Sequence, residues 1–326
     1  METKNELKKT KNIIYKEFFY NNELPGAIEK TIWHGKPSNN SFSFSVANDK
    51  KCESLIKIFE LNNPRLFKEK YNQAINGDGQ EERRINVLHS SSLAALLFFY
   101  AIDEHPLTLK LEGACYTFSK SYFEVKTIVC DSHKSNMDVV LEGKSENGKT
   151  VLLFLESKFS EYLHSGKCAK ISADVYSSIY YKLGFFNQNA IAPIYANEDR
   201  KDKSFIELTS SKKNHYCAGI KQMISHYMGV SNYAENGDDA LEKESPLYGK
   251  NVDIILLGEI LFKFDNNVDD IGKSDIYAED YKNLATVINK GNRVQKFRML
   301  EDVFYYHNIN NIALEKKVKK FYGLTD

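Results

Sequence analysis

The sequence has no apolar run long enough to cross a bilayer, and its first residues, METKNELKKTKN, are charged where a secretory leader would be apolar. A cytoplasmic location, with no membrane partner, is the expectation. Its five cysteines, Cys52, Cys115, Cys130, Cys168 and Cys217, are odd in number and contain no C-x-x-C pair. That pattern argues against zinc or dithiol chemistry and leaves buried free thiols. There is no net charge, since 44 acidic residues balance 44 basic ones, so the overall positive field of many nucleic-acid binders is missing. There is also no G-x-S-x-G elbow, Walker A loop or dinucleotide glycine pattern, which sets aside serine-hydrolase and nucleotide-binding readings. The eight histidines do not group into a ligand set; His89 and His133 flank the region that carries the chemistry, where a structural role suits each.

What remains is an ordinary globular composition over 326 residues, enough for a sizeable core. The pattern predicts helix over 51–76, interrupted at Asn63-Pro64 and broken at Asn76-Gly77-Asp78-Gly79. A buried helix near 89–103 follows, with Ser90, Ser91 or Ser92 as its N-cap. Three antiparallel strands are expected over 121–158. The last of these, with Val151, Leu152, Leu153, Phe154 and Leu155 in an unbroken run, is covered on both faces. Tyr216, Ile220, Met223 or Ile224, and Tyr227 recur at helical spacing, VDIILLGEILF reads as another buried strand, and 277–322 as two or three amphipathic helices.

The chemistry concentrates at the end of the third strand. Phosphodiester hydrolysis needs a divalent cation, an activated water and positive charge near the phosphorus. Magnesium takes oxygen ligands and keeps several waters, so two converging carboxylates suffice, and Asp138 and Glu156 are the candidates. In an extended strand Glu156 and Lys158 share a face. Whether Asp138 joins them depends on the hairpin register. A two-residue Asn147-Gly148 turn sets Asp138 opposite Ser157, whereas a three-residue loop with Gly148 left-handed sets it opposite Glu156. Glu-x-Lys alone carries little, because it also begins at Glu2, Glu6, Glu124, Glu142 and Glu315. The copy at Glu156 differs because a buried apolar strand leads into it, where charge is costly unless paired or metal-bound. A plain Asp-Lys-Glu ion network is the alternative.

Asp138 followed by Glu156-Ser157-Lys158 resembles the PD-(D/E)XK phosphodiesterase motif, with Met137 where a proline is usual. HSSSLAALLFF, NMDVVLEG, FLESKFSE and CAGIKQMISHYMGV together resemble a bacterial, restriction-endonuclease-like group of that superfamily over roughly 86–262. The resemblance implies an α/β fold: an αβββαβ core with a mixed central sheet flanked by helices, and helical additions at both ends. It implies an N-terminal extension over 1–85, a core over 86–262 and a C-terminal helical segment over 263–326. It further implies a magnesium-dependent endonuclease acting on DNA, with manganese as a substitute, in which Asp138 and Glu156 bind the metal and Lys158 positions or activates water. Gln222, beside Lys221 on the following helix, is a further catalytic candidate, and His226 shares its stripe. Glu124 either supplies a third acid to the metal or pairs with Lys126. Arg83, Arg84, Lys212, Lys213 and Lys221 are candidate DNA contacts, and Lys290, Arg293, Lys296 and Arg298 form another basic cluster. Trp33, His34 and Lys36 in the extension could also touch DNA. A homodimer and a cognate methyltransferase suit a restriction role. A structure-specific repair nuclease and a non-cleaving DNA-binding protein are the rival readings.

Overall fold

A computed structural model describes residues 14–20, 22, 27–33, 36–47, 50–77, 81–130, 133–163, 169–172, 194–196, 205–208, 219–269 and 272–324. In chain order, a hairpin of β1 (Ile28–Trp33) and β2 (Lys36–Phe44) precedes α1 (Lys51–Phe59), α2 (Pro64–Ala74), the single turn α3 (Glu81–Arg84) and α4 (Ser91–Phe99). Four strands follow: β3 (Leu107–Leu111), β4 (Ala114–Cys130), β5 (His133–Ser145) and β6 (Thr150–Lys158). Short strands β7 (Ala169–Ser172), β8 (Ile194–Ala196) and β9 (Phe205–Leu208) form a small antiparallel sheet. The chain continues through α5 (Ile220–Asn236), β10 (Ile254–Leu261), α6 (Lys273–Gly291), β11 (Phe297–Met299), β12 (Phe304–Tyr305) and α7 (Lys316–Phe321).

The expected break at Asn63-Pro64 separates α1 from α2. Asn63 caps α2 by accepting from the Leu66 amide at 3.0 Å, and Pro64 follows where a missing N–H costs nothing. Ser90 caps α4, accepting from the Leu93 amide at 3.1 Å, and every side chain from Leu93 to Phe99 is buried.

The central sheet runs β11-β10-β6-β5-β4-β3, with β12 also on β10. Strands β3 to β6 are antiparallel neighbours, while β10 lies parallel to β6, β11 and β12. The sheet is therefore mixed. It also curls: Glu112, in the tight turn between β3 and β4, accepts from the Glu301 amide at 2.6 Å and pairs with Arg298 of β11, at the opposite end of the strand order. Two apolar layers cover β6. Val151, Leu153 and Leu155 pack into the layer that holds α4, while Leu152 and Phe154 pack into the layer that holds Met223, Ile224 and Tyr227 of α5. An unbroken apolar run is what such a two-sided strand requires.

The structure corrects several expectations. The antiparallel run has four strands, because β3 precedes the expected three and β4 begins at Ala114. The C-terminal region is not wholly helical: β11 and β12 extend the sheet beside β10. The N-terminal region likewise carries the β1–β2 hairpin besides its helices. Cys52 is buried, but Cys115 and Cys130 are only half-buried. Tyr216, Cys168 and Cys217 lie outside the described residues. Among the described residues no helix is long and apolar enough to cross a membrane.

Candidate functional site

The β5–β6 hairpin decides which acids meet. Ser145 donates its amide to the Lys149 carbonyl at 3.0 Å, Gly148 donates to Ser145 at 2.9 Å, and Gly148 has φ +74°. This is the three-residue loop, and it pairs Lys144 with Thr150 through to Val139 with Leu155. Extended by one residue, the same register faces Asp138 with Glu156. Regular pairing stops there. The Ser157 amide turns to the Asp138 side chain instead, donating to Oδ2 at 2.7 Å.

On the other side of β5, Phe123 pairs with Val139 and Val125 with Met137, which places Glu124 opposite Asp138. Glu124 has φ +51°, a left-handed conformation that costs a non-glycine residue about 1–3 kcal/mol and concentrates at functional sites. Its carboxylate accepts from the Asn136 side-chain amide. Glu81 of α3 is the neighbour that the sequence did not reveal: a Cβ built on Gly77 would lie 2.7 Å from both the Glu124 and the Glu81 carboxylate oxygens. Gly77 is thus the gap that lets the two acids approach.

Lys158 lies against two partners. Its ammonium donates to Glu156 Oε1 at 2.5 Å and to Gln222 Oε1 at 2.8 Å, and Gln222 projects from the first turn of α5. The second Glu156 oxygen, Oε2, lies 2.9 Å from His226 Nε2. Burial disfavours the Glu156 carboxylate, but Lys158 and His226 outweigh it and hold its pKa down to about 2. Burial likewise disfavours the Lys158 ammonium, and the carboxylates of Glu156, Glu161, Glu259 and Asp138 reverse that and push its pKa up. Lys158 is therefore firmly protonated and serves as a donor. For Asp138 and Glu124 the compensation falls short. Burial, then Glu156 and Glu124, push Asp138 up; burial, then Glu81 and Glu156, push Glu124 up to about 8.

These groups open into a cavity of 550 Å³ lined by Asp138, Glu156, Lys158, Glu161, Gln222 and Glu81 on its charged side. Arg84, His89, Ser90 to Ser92 and Ser160 line the rest, and Thr31 and Ser41 reach it from the β1–β2 hairpin. That hairpin is tied over the site by main-chain bonds from Phe44 to Asn86 and from Leu88 to Phe42, both 3.0 Å.

Of the residues picked from sequence, Asp138, Glu156, Lys158, Gln222, Glu124 and Arg84 gather here. Arg83 is exposed on the same turn as Arg84 but is not part of the lining. Lys212, Lys213 and His34 lie outside the described residues, as do the side chains of Lys221 and Trp33. His133 is exposed at the start of β5. Sequence reasoning missed Glu81, Glu161 and Glu259. The last sits beside Glu156 in the parallel β6–β10 register and is fully buried, with a pKa raised to about 8 by burial. A lone glutamate inside VDIILLGEILF was the available signal.

The donor set fits a hard divalent cation. All its ligand atoms are oxygens, and Asp138 and Glu124 are crowded carboxylates whose charge only added positive charge would relieve. Among the described residues no three His, Cys, Asp or Glu side chains converge into a ready-made cage. Magnesium usually takes one or two carboxylates and completes its shell with water and substrate oxygens. Comparison of the chain with protein-family models, curated proteins and solved structures found no match.

Proposed function

We propose that this chain is a magnesium-dependent DNA endonuclease built on a restriction-endonuclease-like PD-(D/E)XK core, acting in restriction or defence. One observation carries the reading. Asp138 and Glu156 face each other where β5 and β6 part, and Lys158 lies two residues further on beside the same cavity. Glu124, at positive φ and short of compensating charge, adds weight.

Asp138 and Glu156 would hold the cation, with Glu124 opposite Asp138 on the neighbouring strand. When bound, the metal supplies charge neutralisation at the phosphate and a water of lowered pKa. Lys158 places its ammonium toward the scissile phosphate and orients water by hydrogen bonding. Gln222 keeps that ammonium aimed, since it accepts one of its three protons. Arg84 and the first turn of α4, which line the same cavity, suit backbone phosphates.

The test is cleavage of duplex, single-stranded and branched DNA with magnesium or manganese, beside an EDTA control and Asp138→Ala. Metal-dependent cutting that the variant loses supports the reading. Cutting that survives EDTA, or that Asp138→Ala retains, would overturn it.

A further inference from the structure

Glu156 is held from both ends, and the second hold comes from a pair outside the Asp-Glu-Lys set. His226, on α5, is 2 % exposed; its Nε2 lies 2.9 Å from Glu156 Oε2 and its Nδ1 2.5 Å from the Ser135 hydroxyl. Ser135 is also buried, on β5. A histidine between a hydroxyl and a carboxylate has one consistent neutral arrangement: Ser135 donates to Nδ1, and the hydrogen is carried on Nε2, which lies close to Glu156 Oε2 without the alignment of a hydrogen bond.

The placement of His226 is itself fixed by packing. Gly229 follows it by three residues, on the same face of α5. A Cβ at Gly229 would lie 2.2 Å from Thr127 Oγ1 and 3.2 Å from Ser135 Cβ, so α5 sits on β4 and β5 closer than any other residue allows. Asn232, three residues further on, donates to the Ile128 carbonyl at 2.8 Å. The same contact that seats the helix therefore brings the imidazole over Ser135 and Glu156.

We propose that His226, oriented by Ser135, is a positioning residue that fixes the Glu156 carboxylate for the divalent cation. The proposal rests on the nuclease reading above. Each carboxylate oxygen has two lone pairs, so contacts to Lys158 and His226 leave Glu156 able to accept a cation while removing its freedom to turn. Without His226, Oε2 is free to rotate and take a second bond from Lys158, and the cation loses a preset ligand.

The test is manganese binding by titration calorimetry on the full chain without DNA, with melting temperature recorded for each variant. Partners one shell out from a metal are worth about 10–100-fold in affinity. His226→Ala is expected to weaken manganese binding by about tenfold, at the low end of that range. His226→Gln, which keeps a donor near the Nε2 position, should recover most of it, and Ser135→Ala should fall between. If His226→Ala does not fold, Ser135→Ala and His226→Gln carry the comparison. A manganese affinity within twofold of wild type in His226→Ala, or in Ser135→Ala where His226→Ala does not fold, would overturn the proposal and leave the nuclease reading intact. Failure of the wild-type chain to bind manganese would overturn both, and wild-type binding that Asp138→Ala does not weaken would sink the site assignment instead.

Discussion

Asp138 and Glu124 are placed where charge is least welcome, and the pH dependence of stability should report it. Glu124 in the folded chain keeps its proton up to about pH 8, whereas in the unfolded chain it loses it near its ordinary 4.5; burial is the main cause, followed by Glu81 and Glu156. Glu259 behaves alike, through burial. Between those limits the folded state binds more protons than the unfolded one, so stability falls as pH rises through the window. Glu156 has the opposite sign: burial is outweighed by Lys158 and His226, so its contribution is present above 4.5 and lost as pH falls toward about 2. The metal-free melting temperature is expected to decline from about pH 5 to pH 8. Glu124→Gln should flatten the decline and raise the melting temperature at the alkaline end, and added magnesium should do the same for the wild-type chain. A decline as steep in Glu124→Gln as in wild type would remove Glu124 as its source. The same crowding gives Asp138→Asn a double signature: cleavage abolished, stability increased.

At the level of elements, the active geometry depends on one loop and one helix seat. Gly148 has φ +74° and open space where a Cβ would go, so Gly148→Ala tests backbone strain alone. It should cost about 1 kcal/mol in urea unfolding with an unchanged slope, and leave cleavage intact. Deleting Asn147 is a different experiment. It shortens the loop to Glu146 and Gly148 but leaves Ser145 opposite Lys149, so Asp138 stays opposite Glu156 and cleavage should persist. A folded deletion variant that no longer cuts would contradict the register argument. At the helix seat, Gly229→Ala drives a methyl group into Thr127 Oγ1 and should cost about 1–3 kcal/mol. Thr127→Ala in the same chain should restore part of it, and additive losses would mean that the two residues do not meet. Both elements were partly legible in the sequence. Asn147-Gly148 offered two registers, and the apolar run before Glu156 announced a strand covered on both faces. By contrast β11 and β12, three and two residues long, are too short to show a period and exist because β10 has an open edge. β3 escaped notice although LTLKL alternates buried and exposed, because its turn, Glu112-Gly113, places a glutamate at positive φ. His226 was legible through the helical stripe it shares with Gln222, whereas Glu81 meets the site only through tertiary packing, and no local pattern encodes that.

For the whole molecule the difficulty is charge. On the proposed reading, a chain with equal numbers of acidic and basic residues and an acid-rich cavity would bind DNA through segregated cations. The basic groups named from sequence are not equivalent in space. Arg84 lines the cavity and Arg83 is exposed on the same turn. Arg298 lies on β11, and Lys290 and Arg293 precede that strand, which pairs with β10 at the level of Leu152, toward the end of β6 away from Glu156. Phosphate contacts should therefore come from the first group. Each neutralised phosphate adds about 0.9 to the slope of log binding constant against log salt. Arg83→Ala with Arg84→Ala should flatten that slope by about two contacts, roughly 1.8 units, and weaken binding across sequences alike. Lys290→Ala with Arg293→Ala should leave it unchanged. The measurement is best made in calcium, which fills oxygen sites while usually not supporting phosphodiester hydrolysis, so that binding is read without cleavage. An unchanged slope in the arginine pair together with a flattened one in the Lys290–Arg293 pair would place the DNA across the β11 edge of the sheet. The cavity would then be separated from the nucleic-acid surface, and the nuclease reading would lose its substrate path.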